Sequence, residues 1–128
     1  MPVTFELQEN GSLMYWKLED PWTLPELIGY YKQAESIFDN APHMVHSLVD
    51  VQHVRQIPGG VLSARHAKTW HHPRSGQTVI VGATPLIKAM VETLFQLVRF
   101  NRVRFFNDEV EARNYLLRLI EQEVRLNS

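Results

Sequence analysis

Apolar residues alternate from the start of the chain. Val3, Phe5 and Leu7 precede a polar ENGS turn, and Met14, Trp16 and Leu18 follow it, with Leu13 and Tyr15 interleaved. Period-two spacing on both sides of a turn predicts a β-hairpin. Asp20-Pro21-Trp22 breaks the second strand. Thr23, Pro25 and Glu26 then supply a capping hydroxyl, a proline in the first turn and a glutamate three residues on, which together mark a helix start. Leu27, Tyr30, Tyr31, Ala34, Ile37 and Phe38 recur at helical spacing until DNAPH stops the helix.

Residues 44–51, MVHSLVDV, form a short apolar run of the kind found in a buried strand. PGGVLSARHAKTW, residues 58–70, predicts a modest helix, closed by His71-His72-Pro73 and a turn at Arg74-Ser75-Gly76. TVIVGA, residues 78–83, is β-branched and uncharged and reads as the central strand. Thr84-Pro85 caps a long helix through Val98, VRFF makes a last strand, and Asp108 with Glu111 repeats the capping box before a C-terminal helix. The order β-β-α-β-α-β-α-β-α predicts one α/β domain over residues 1–128. Its sheet is open, mixed and mostly parallel, joined by right-handed crossovers and covered by helices.

Composition narrows the chemistry. At 128 residues, 45% apolar and 21% charged, the chain suits a single core, with no disordered or repetitive segment. The formal net charge of -1 supplies no general attraction to nucleic acid or to an anionic membrane. The absence of cysteine removes disulfides, thiolate metal sites and thiol nucleophiles. The first residues carry no signal-peptide pattern, and no apolar run approaches the roughly 20 residues of a transmembrane helix. A cytoplasmic location is the expectation.

Two stretches carry a family resemblance. SLVDVQHV followed by IPGGVLSA, residues 47–54 and 57–64, resembles a buried strand ending in Asp and then a Ser-Ser-Gly helix start. VRFFNDEVEARNYL, residues 103–116, is similar to a closing strand, acidic turn and helix. Both are features of the STAS family, especially the stage II sporulation AA-like group that shares traits with Sec14-type lipid-binding domains. The resemblance implies a STAS-like fold and a regulatory role exercised through protein contacts. In regulatory members the helix start bears a serine that a partner kinase phosphorylates. The corresponding positions here are Pro58, Gly59 and Gly60, which have no hydroxyl, and Ser63 lies a turn further in.

What remains at IPGGV is a helix N-terminus with free amides and close backbone access, suited to an anionic group or simply to a tight turn. Neither dinucleotide-binding spacing nor a Walker lysine follows it. In an open α/β sheet a ligand is expected beyond the carboxyl ends of the strands, where Asp50, Gln52, Gly82, Thr84, Asn107 and Asp108 fall. Asp50, Thr84 and Asp108 also have sufficient work as turn and helix caps. His43 and His46, or His66 with His71 or His72, match no metal-ligand spacing. No GxSxG elbow surrounds Ser47 or Ser63 to make a hydrolase of either with a histidine and Asp50. No cofactor, metal site or catalytic residue is therefore expected.

The helix from Pro85 to Val98 is apolar over more than one face. Leu86, Met90, Leu94 and Leu97 make one stripe, and Ile87, Val91, Phe95 and Val98 an adjoining one. The surplus fits burial against a neighbouring helix, a self-association seam, or the wall of an apolar ligand cavity. Met90, Leu94, Phe95 and Trp70 are its candidate contact residues, with Trp22 as a further aromatic anchor. Two readings lead, with a hydrolase as a distant alternative. One is a non-enzymatic STAS-like module that binds a protein partner or itself. The other is a carrier of a small apolar or lipid-like molecule whose anionic head would sit at Gly59 and Gly60.

Overall fold

The computed structural model describes residues 3–56 and 72–126. The strands within them are β1 Val3–Gln8, β2 Leu13–Glu19, β3 Val45–His53, β4 Ser75–Val81 and β5 Val103–Phe106. α1 Leu24–Ile28 and α2 Tyr31–Asn40 lie between β2 and β3, α3 Pro85–Leu97 between β4 and β5, and α4 Glu109–Leu126 follows β5. The strands form a single sheet in the order β1-β2-β3-β4-β5, β1 antiparallel to β2 and the other neighbours parallel. This is the mixed, mostly parallel α/β sheet that the alternation of elements predicts. The helix expected over residues 58–70 lies outside the described residues.

The hairpin forms where the period-two pattern places it. Glu9, Asn10 and Gly11 turn the chain with φ of 52°, 54° and 85°, a conformation that glycine adopts without strain and asparagine readily. The resulting register sets Phe5 opposite Trp16 and Leu7 opposite Met14, so their apolar side chains share one face. On that face Met14, Trp16, Val51 and Ile80 pack with Ala34 and Phe38 of α2 and Ile87 of α3. On the other face Leu13, Leu48, Val79 and Val81 pack with Ala112 and Leu116 of α4. Strands covered on both faces carry nearly unbroken apolar runs, which is why residues 44–51 and 78–83 show so little alternation.

Several boundaries differ from expectation, among them β3, which runs on to His53. The helix read across residues 24–38 is two helices, interrupted at Gly29 and Tyr30. Glycine is a poor helix interior residue, and the break lets the rings of Tyr30 and Tyr31 both meet Trp16, at centroid distances of 6.3 and 6.2 Å. β4 begins at Ser75, so the expected turn residues Ser75 and Gly76 belong to the strand. Gly76 is there because the buried His46 ring occupies the space a Cβ would need. The same strand stops at Val81. Gly82 has φ +76° and lies against Gln52, leaving room for no side chain.

Candidate functional site

Asp50, Thr84 and Asp108 stand where strands end and helices begin. Thr84 Oγ1 accepts the Ile87 amide at 3.3 Å, and Asp108 Oδ2 accepts the Glu111 amide at 3.3 Å, so both act as helix caps. Asp50 is buried, and its Oδ1 accepts the Gln52 amide at 2.9 Å. Its Oδ2 lies 3.5 Å from the Tyr15 hydroxyl, which is also 3.4 Å from Glu109 Oε1. The phenol has one proton and donates it to one carboxylate at a time. Burial, then the negative charges of Glu109 and Asp50, push the Tyr15 phenol up to about 12. It therefore stays protonated at neutral pH. Arg113 lies over the Tyr15 ring, 5.6 Å from its centroid, and donates to Gln8 Oε1 at 2.8 Å.

This polar cluster ties the sheet to α4. The strand order never reverses, so the described sheet lacks the topological switch point that opens a ligand crevice in doubly wound folds. Asp50, Thr84 and Asp108 are adjacent to one another in topology and engaged with backbone amides.

His46 is the residue whose role the sequence concealed. It is 3% exposed, its Nδ1 accepts the Gln77 amide at 2.9 Å, and its Nε2 lies 2.7 Å from Glu123 Oε1. The first bond leaves the ring proton on Nε2, which donates it to Glu123. Ser47, the next residue, turns to the opposite face of β3, away from His46 and Asp50. A Ser47 triad therefore does not assemble. His72 stacks on Phe38 at 5.1 Å and meets Asp39 through Nε2 at 2.7 Å. Among the described residues no three histidine or acidic side chains come together to hold a metal ion. Gly59, Gly60, Ser63, His66, Trp70 and His71 lie outside the described residues.

An apolar cavity of about 110 Å³ lies between the sheet and the helices on the α2 side. Trp16, Tyr31, Phe38, Ile80 and Phe95 contribute to its walls, and Ser47, Ser75 and Thr78 add hydroxyls. Of the four apolar candidates, Phe95 is at this cavity and buried, while Met90 and Leu94 are half-buried on the flank of α3. Ile87, Phe95 and Val98 form the buried stripe of α3, whereas Leu86 and Leu97 are 61% and 51% exposed. Trp22 packs at the core rim, and its buried indole N–H has no partner among the described residues.

The sheet edges are the other uncommitted feature. β1 and β5 are edge strands, so one side of each backbone is unpaired by the sheet. Residues 1–50 carry eight acidic and two basic side chains, and residues 51–104 eight basic and one acidic. Among the described residues, the β1 edge strand carries Glu6, while Lys88, Arg102 and Arg104 lie at β5 together with Glu92. At β5, Lys88 lies over the Phe105 ring at 5.3 Å and Arg104 over Tyr115 at 5.0 Å. Neither Lys88, Arg102 nor Arg104 forms an ion pair with a described carboxylate. The charge division was legible in the sequence; the net charge of -1 hides it by cancellation.

No protein-family model matches the chain, and no curated protein matches it. Among the described residues, no helix is long and apolar enough to cross a membrane.

Proposed function

We propose that this protein is a non-enzymatic, STAS-like interaction module that works by binding a protein, and that it lacks the serine switch of the regulatory members it resembles. The observation that carries this reading is the basic row at β5, which sits beside an open strand edge and has no described carboxylate partner. Polar groups at the strand ends support it from the other side, because Asp50, Thr84 and Asp108 are already engaged with backbone amides. Fold-level likeness contributes the interaction role by analogy only. The test is retention of protein by the immobilised chain at low and raised salt, combined with a size measurement in solution. Salt-sensitive retention, or a mass above that of one chain, supports the reading. A strict monomer that retains nothing overturns it.

A second reading rests on the apolar cavity. Cavities of about 150 Å³ lined by apolar side chains hold a single small ring, and about 110 Å³ is on that scale. A small apolar molecule suits this volume better than a lipid tail. Native mass spectrometry of the freshly purified protein and a thermal-shift series of small aromatic compounds test the carrier role. No bound mass and no shift would remove it.

A further inference from the structure

The described edges match each other in strand direction, face and charge. β1 runs antiparallel to β2, whereas β2 through β5 are mutually parallel. A second copy placed in the same orientation beyond β5 therefore presents its β1 antiparallel to β5, the more favourable ladder geometry. Faces also agree. Arg104 and Phe106 lie on the α4 face, opposite Val79 and Val81 in register, and Val103 and Phe105 lie on the α2–α3 face, opposite Thr78 and Ile80. On β1, Glu6 pairs with Tyr15 on the α4 face, and Phe5 and Leu7 pair with Trp16 and Met14 on the other.

We infer that the β5 edge of one copy takes the β1 edge of a second copy as the next strand of its sheet, with Arg104 opposite Glu6. This deepens the interaction-module reading and rests on it. The same register sets Phe105 opposite Phe5 and Val103 opposite Leu7, so a charge pair on one face is flanked by apolar pairs on the other. Opposite-charge and apolar cross-strand pairs are the favourable units of a sheet. Glu6, Leu7 and Arg104 are exposed in the single chain and available for such contacts. Like charge selects against the alternatives: β5 against β5 brings arginines together, and β1 against β1 brings glutamates together. The contact uses different surfaces on the two copies, so it propagates into chains or closes into a ring. β5 has only four residues, which makes each junction weak and the assembly dependent on concentration.

Sedimentation of the full chain over a concentration series tests this. The expected mass exceeds the 14.9 kDa of one chain as concentration rises and falls back in raised salt. E6R and R104E should each weaken association about tenfold or more, and the double variant E6R/R104E should recover it, because each junction again pairs opposite charges. Circular dichroism confirms that the variants fold. The chain has no cysteine, so a mixture of E6C and R104C should form disulfide-linked dimers faster than either variant alone. A monomer at every concentration overturns the edge junction, and so does association indifferent to both single variants. If the monomer still retains a different protein in a salt-sensitive manner, the junction fails while the interaction-module reading survives.

Discussion

His46 Nε2 lies 2.7 Å from Glu123 Oε1, a contact that fastens the last turns of α4 to β3 across 77 residues of chain. The Gln77 amide occupies the other ring nitrogen, so both polar atoms of this buried imidazole are satisfied. Glu123→Ala removes the acceptor and strands the Nε2 proton, a change that should cost about 1.5–3 kcal/mol of stability. Urea unfolding measures the loss. Hydrogen exchange should show the C-terminal turns of α4 opening more readily while β4 stays protected.

Gly76→Ala should destabilise the protein by about 1–3 kcal/mol, because the added methyl group runs into the His46 ring. The two sites share one space, so Gly76→Ala combined with His46→Ala should cost clearly less than the sum of the single variants. Strict additivity in a thermodynamic cycle would refute the steric account.

Thr84→Ala should lower stability by about 1 kcal/mol through loss of the cap on the Ile87 amide. Thr84→Ser keeps an oxygen at the same place and should recover most of it. A thermal melt of the three proteins separates the capping role, in which serine rescues, from a packing role of the threonine methyl, in which it does not.

Tyr15 should ionise at about pH 12 in the folded protein, above the ordinary phenol value of 10, because burial and the Glu109 and Asp50 charges oppose its phenolate. A pKa raised by folding stabilises the native state below the unfolded value, and this contribution falls away as pH rises from about 10 to about 12. Tyr31, raised by burial, adds to the same alkaline loss. Ultraviolet titration should show a late phenolate signal that Tyr15→Phe removes, and the variant should lose less stability over that pH window.

The polar cluster at α4 shows how far sequence reading reached. Asp108 and Thr84 were recognisable as caps because capping depends on residues within one turn of each other. Asp50 was recognisable as a turn-binding carboxylate for the same reason, since its amide partner is two residues away. Its meeting with Tyr15 and Glu109 joins positions 35 and 94 residues apart, respectively, from Tyr15 to each carboxylate, and no local pattern encodes it. The apolar surplus of α3 was equally plain in the heptad spacing. Which stripe would be buried was not, because that depends on where α3 sits relative to the sheet.

Local chemistry alone determined most of the described elements: alternation made the hairpin, capping residues marked the starts of α1, α3 and α4, and the succession of strands and helices defined a mixed α/β sheet. These signals work over a few residues, the range across which backbone hydrogen bonds and side-chain periodicity act. Tertiary structure alone decided that the His46 ring fixes a glycine at position 76 within β4, that the strand order runs without reversal, and that Glu6 and Arg104 end up on opposite edges of one sheet. Those outcomes depend on which distant segments become neighbours, and the long-range packing of the two sheet faces makes that choice.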